Sequence, residues 1–351
     1  LIKSRTGYSI NVLGEDNNEL MLTNAYKSND GTIWIGSYYM GLFFYSEYIN
    51  QFNHILIKRD RSPSTGIIGP IIQDSDGLWL GSSDKGITYY NLNDRKQQYY
   101  EIYESGISMT ECKPLFINNN ILWVGTDSHG IFLFDLKKKI IIKHYSTSSY
   151  KGRTPGNRIN YGFKDDSGRI WIGYNGAPGG ICLFDEKTET FTNHLPSGPN
   201  DKVRDVYFIH QASDNELWIG TRNNGLLRYN ISKTDFTPIS IAGRQDLSIS
   251  YIFKDRQNRI WVGTFGQGLI CMDYSGNIKG LFNYNNNDIN DNICSILEDN
   301  DGRIWISSFN EISYYDEVNN RFIKYDIKNN FPIQHVKSMS CLLYTSDAAD
   351  E

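Results

Sequence analysis

Asp255-Arg256-Gln257-Asn258-Arg259-Ile260-Trp261-Val262-Gly263 holds the pattern that decides the fold. Its last four residues recur as Ile33-Trp34-Ile35-Gly36, Leu78-Trp79-Leu80-Gly81, Leu122-Trp123-Val124-Gly125, Ile170-Trp171-Ile172-Gly173, Leu217-Trp218-Ile219-Gly220 and Ile304-Trp305-Ile306-Ser307. All seven tryptophans of the chain fall in this frame, 43 to 48 residues apart. Only the last copy departs, with Ser for Gly. A fixed period of that size marks a repeat architecture in which each copy is one supersecondary unit.

Upstream, three residues before Trp, stand Gly31, Asn120, Gly168, Asn215, Asn258 and Gly302, with Gly77 one place later in its cassette. These residues tolerate positive φ and predict a tight hairpin. The strand entering it ends in Asp74, Asp165, Asp255 or Asp299, whose side chains can close an Asx turn, so these aspartates read as structural. Downstream, a second glycine (Gly41, Gly86, Gly130, Gly180, Gly225 or Gly268) opens an apolar strand such as Gly130-Ile131-Phe132-Leu133-Phe134-Asp135. A polar turn then leads to a fourth strand, as in Glu189-Thr190-Phe191-Thr192. The middle strands are apolar at consecutive positions, so both faces of the sheet must be covered. Radial stacking does this, and the expectation is an all-β, seven-bladed β-propeller of four-stranded antiparallel blades with the tryptophans packed between them.

The remaining sequence bounds the function. With 351 residues, 21% of them charged and a net charge of −5, the chain suggests neither disorder nor a basic nucleic-acid-binding surface. Apolar runs fall short of a membrane span, so no membrane contact is expected of this stretch. Cys112, Cys182, Cys271, Cys294 and Cys341 lack CxxC spacing and read as unpaired, mostly buried residues. The histidines form no HExxH pair. No catalytic residue, metal or cofactor is therefore expected. Lys137-Lys138-Lys139 reads as a solvated turn. Residues 1–18 read as an incomplete segment of a preceding blade or a closing strand, and residues 19–340 as the seven-repeat propeller. Residues 341–351 resemble the translation of a sequencing adaptor and are expected to be disordered.

The cassette Asp-x-x-Gly-x-Ile-Trp-Ile-Gly, followed by Gly-Leu and Tyr/Phe-Asp, resembles the two-component regulator propeller repeat, over residues about 19 to 330. WD40 repeats fit less well, because an aliphatic residue and Gly follow Trp. The resemblance implies the periplasmic sensor of a hybrid two-component system of Bacteroidetes type, a membrane receptor that detects oligosaccharides. Its implied partners are the oligosaccharide, the rest of the receptor chain and a second protomer.

In a propeller, ligands meet the face where the loops after the second strand and before the first converge. The ligand-binding candidates on those loops are Tyr38, Tyr39, Asp84, Lys85, Asp127, His129, Tyr174, Asn175, Arg222, Asn223, Phe265, Gln267, Phe309 and Asn310. Asn160, Tyr161, Arg204 and Asp205 border the same face. Aromatic rings beside amides, carboxylates and a guanidinium suit pyranoses, whose C–H faces lie on π surfaces while hydroxyls exchange hydrogen bonds. A protein-interaction scaffold and a propeller glycan hydrolase or lyase are the alternatives, distinguished by a large exposed apolar patch and by paired carboxylates across a pocket.

Overall fold

The computed structural model describes residues 21–325, apart from 30, 39–40, 47–50, 56, 60–61, 64–67, 105–106, 150–152, 177–178, 196–204, 288 and 310. The expectations for 1–18, for 341–351 and for Cys341 lie outside the described residues.

The Trp261 cassette shows how the repeat folds. Strands Ile249–Lys254, Ile260–Thr264, Leu269–Met272 and Ile278–Phe282 pair antiparallel in chain order. At the first hairpin, Asp255 Oδ1 accepts the backbone N–H of Gln257 (3.0 Å) and of Arg259 (2.8 Å). Its Oδ2 accepts the indole N–H of Trp261 at 2.8 Å, and Arg259 lies over the same indole. One carboxylate thus fixes both the turn and the tryptophan. Asp74, Asp165 and Asp299 bind Trp79, Trp171 and Trp305 in the same way, at 2.8, 2.9 and 2.7 Å. Ser28 takes this role for Trp34 and Glu216 for Trp218.

Six of the indoles then reach an aromatic ring of the following cassette. Trp79 meets Phe134 at 5.5 Å, Trp123 meets Phe184 at 5.1 Å and Trp261 meets Tyr315 at 5.2 Å, all edge-on. The tryptophans are therefore packing between cassettes, as expected. Lys139 departs from expectation: its ammonium stands 4.7 Å from the Trp79 ring and 4.8 Å from Tyr89, a cation–π seat across a seam that a lysine run does not disclose. Cys112, Cys182, Cys271 and Cys294 are free and buried.

The innermost strands Met21–Lys27, Ile68–Gln73, Thr110–Asn118, Arg158–Lys164, Val206–Ser213, Ile249–Lys254 and Ile293–Glu298 each lie beside the next, and the first lies beside the last. The ring closes without exchanging strands between the chain's ends, among the described residues. Instead Ala25, Ile33, Ile35 and Phe43 pack on Leu297, Trp305 and Ile312.

The expected seven separate four-stranded blades are corrected. Among the described residues five four-stranded blades stand separate, and the Trp79 and Trp123 cassettes merge into one eight-stranded sheet. The cause is a long strand on each side of that seam. Gly77–Lys85 runs on for nine residues, and Thr110–Asn118 begins early enough to pair Thr110 with Lys85 and Cys112 with Ser82. The ladder shifts at Glu111, whose φ is 50°, before the strand passes into the Trp123 sheet.

Asp255→Ala removes the buried acceptor of both Trp261 and Arg259, and is expected to lower the unfolding free energy by about 2–4 kcal/mol. Asp76→Ala, in the exposed hairpin of the Trp79 cassette, is expected to change it by less than about 0.5 kcal/mol. Urea denaturation of both variants checks this, and equal effects would contradict the assignment.

Candidate functional site

After Trp-x-Gly stands a Ser or Thr in every cassette but that of Trp171, which has Tyr174, and the structure gives that hydroxyl a task. Thr264 Oγ1 donates to the carbonyl of Gly268 (2.7 Å) and accepts the N–H of Gln267 (3.1 Å). Thr126 and Thr221 repeat the arrangement with Gly130 and Gly225. The closing glycine has positive φ, 78° at Gly268, where a Cβ would lie 2.2 Å from the Phe282 carbonyl. Loop tips 127–129, 222–224 and 265–267 are thereby held on short, pinned stems. The recurring Ser/Thr is the sequence signal for these stems.

The innermost strands also share an irregularity. The register shifts between Ile159 and Tyr161 and again between Val206 and Phe208, leaving Asn160 and Tyr207 as extra residues at equivalent stations. A bulge of this kind re-aims a side chain without moving the rest of the strand.

A polar arc is built around Asn160. Lys113 Nζ donates to Asn160 Oδ1 at 2.8 Å and stands 3.9 Å from Asp127 Oδ1. Arg158 Nε donates to that same Asp127 oxygen at 2.8 Å. Burial holds the Lys113 ammonium below the usual lysine range, against the attraction of Asp127. The hydrogen bond to Asp127 raises Arg158, with smaller contributions from Asp205 and Glu111. Asn160 Nδ2 reaches the carbonyl of Val206 at 3.4 Å, joining this arc to the next cassette.

An aromatic arc continues from there. Tyr207 meets Phe265 edge-on with ring centroids 6.0 Å apart, and Phe265 stacks with Phe309 at 6.1 Å. All three rings are half-buried. The Phe265 N–H donates to the Ser248 carbonyl at 2.9 Å, and Phe265 bridges to Asn292 of the following cassette. Three successive cassettes thus contribute one row of rings.

The candidates named from sequence divide accordingly. Asp127, Phe265 and Phe309 belong to these arcs. Arg222 and Asn223 are exposed at a loop tip, with the Arg222 N–H held by the Asp205 carbonyl. His129 bonds Ser128 through Nδ1 at 2.7 Å, and Gln267 folds back on the Gly266 carbonyl. Tyr174 is corrected: strand Ile170–Asn175 runs on through it, its ring is fully buried, and its hydroxyl donates to Asn193. Tyr161 is likewise core, against Phe208. Asn175 remains beside the Arg158 strand end, and its Oδ1 is buried without a partner among the described residues. The side chains of Tyr38, Asp84 and Lys85, and all of Tyr39, Arg204 and Asn310, lie outside the described residues. Tyr207 was missed because a bulge position leaves no mark in a strand pattern, and Lys113 and Arg158 because they stand within inner strands, in register with Gly125 and Asn175, and not on the loops.

Among the described residues there is no group of three or more metal-ligating side chains, and no helix is long and apolar enough to cross a membrane.

The family model described as two component regulator propeller matches residues 243–266 and 287–310. Histidine kinase P4 of Formosa agariphila is 25% identical over 302 residues, which is 81% of this chain and 21% of that protein. The extracellular domain of a putative hybrid two component system of B. thetaiotaomicron superposes with a TM-score of 0.68 at 19% identity, covering 85% of this chain and 40% of that one. PorZ, a surface component of the type-IX secretion system of Porphyromonas gingivalis, gives a TM-score of 0.62 at 15% identity, covering 92% of this chain and 56% of that one. This chain spans about a fifth of the kinase's length. The solved structures share its propeller fold. The chain thus carries two segments that match the two-component regulator propeller model, and over most of its length it is similar to part of a histidine kinase and to the extracellular domain of a putative hybrid two component system.

Proposed function

We propose that this propeller is the ligand-sensing, extracytoplasmic part of a hybrid two-component receptor in the periplasm, and that it binds an oligosaccharide across the polar and aromatic arcs. The observation that carries this reading is the row Tyr207, Phe265 and Phe309, half-buried on pinned loops and continuous with the Lys113, Asn160, Arg158 and Asp127 cluster. Rings of this kind accept the C–H faces of pyranoses, and amide, carboxylate and guanidinium groups exchange hydrogen bonds with hydroxyls. Asp127, His129, Arg222, Asn223 and Gln267 are the contacting residues this assigns around the rings. The pinned stems favour affinity, because little loop entropy remains to be lost on binding.

Binding alone does not signal. The ligand must hold one arrangement of the receptor better than another, so the remainder of the receptor chain and a second protomer are the partners through which a difference in affinity becomes a response.

Thermal unfolding of the chain against a panel of plant, host and microbial oligosaccharides tests the reading, since a ligand selective for the folded state raises the midpoint. One glycan class is expected to raise it, and Phe265→Ala to abolish that rise while leaving the unliganded midpoint within a few degrees. A cooperative melt that no sugar moves would contradict the proposal and favour a protein-binding face.

A further inference from the structure

We infer that the polar arc is a subsite for a carboxylate, so that the glycan held on this face is an acidic one carrying uronate residues. The inference rests on the oligosaccharide reading above and narrows it.

Lys113 is the starting point. Its side chain is 12% exposed, yet of its three N–H donors only one meets a hydrogen-bond acceptor among the described residues, Asn160 Oδ1. Its carboxylate neighbour, Asp127, stands 3.9 Å away, beyond hydrogen-bond range, and gives the same oxygen to Arg158 at 2.8 Å. An enclosed ammonium is tolerated when its remaining protons find acceptors. Here the protein supplies one and leaves two. Arg158, with 55% of its side chain exposed, uses Nε on Asp127, and its two terminal nitrogens make no further bond among the described residues.

Of the carboxylates around Lys113 and Arg158, only Asp127 is hydrogen-bonded to either cation among the described residues, through its bond to Arg158. Two other carboxylates stand near, Glu111 facing both Lys113 and Arg158, and Asp205 facing Arg158. Glu111 is exposed to solvent, where its field is screened, and Asp205 accepts the backbone N–H of Gly176 at 3.3 Å. An incoming carboxylate would take the unused donors of both cations, in charge-assisted bonds about twice as strong as neutral ones. Its sugar ring would lie toward Tyr207, because Asn160, which holds Lys113, also bonds the carbonyl of Val206. A neutral sugar offers hydroxyls that satisfy the donors without matching the charge.

Calorimetric titration at low salt, with galacturonate, glucuronate and mannuronate oligomers and with the same oligomers after carboxyl reduction, tests the inference on the wild-type chain. One uronate series is expected to bind about ten- to hundredfold tighter than its reduced counterpart. Lys113→Met should erase that difference, and Phe265→Ala should weaken both members of the pair. Equal affinity for acid and reduced oligomers would overturn the carboxylate subsite while leaving the oligosaccharide reading in place. Binding of neither set would overturn both. Because the acid and reduced forms are compared on the unaltered protein, the result does not depend on how Lys113→Met folds.

Discussion

Close approach between each Trp-x-Gly backbone and the next inner strand is the constraint on which the molecule depends. A Cβ added at Gly125, Gly173, Gly220 or Gly263 would lie 2.9, 2.7, 2.7 or 2.9 Å from a methyl of Ile159, Val206, Ile249 or Ile293 respectively. Those methyls belong to β-branched, fully buried side chains that are stiff at χ1 and have nowhere to go. Glycine therefore sets how tightly neighbouring sheets stack, and the tryptophan beside it fills the wider part of the same seam. Where the motif carries Ser307, the hydroxyl finds Ser295 across its own sheet at 2.7 Å, a bond that gives this residue a place at the ring-closing seam.

Loop placement follows from the same approach. Bringing inner strands together puts Asn160 within reach of Val206 and sets Tyr207, Phe265 and Phe309 at about 6 Å intervals, although each ring comes from a different cassette. The buried Thr hydroxyls keep those loops from relaxing away. A continuous surface from Lys113 to Phe309 is thus a product of seam geometry and cannot be assembled from any one cassette.

This explains what was legible in the sequence. The Trp frame, the hairpin aspartates and the positive-φ glycines are local signals, and Asp255 with Trp261 behaves as its spacing predicts. Phe265, Phe309 and Asp127 were legible as loop-tip residues for the same reason. Separation into seven four-stranded blades was not, because the pairing of Cys112 with Ser82 joins two cassettes through a strand extension that carries no distinguishing residue. Tyr174 misled because the strand continues past Ile172 to Asn175 and turns the ring into the core. Tyr207 acquires its position from a bulge and Lys113 its partner Asn160 from the neighbouring cassette, which a residue-by-residue pattern does not encode.

The most direct test of the seam is the stability of Gly220→Ala in urea. One added methyl against Ile249 is expected to cost about 1–3 kcal/mol through overpacking, although alanine is otherwise tolerated in strands. A variant as stable as the unaltered chain would show that the sheets do not depend on that approach, and would contradict the account.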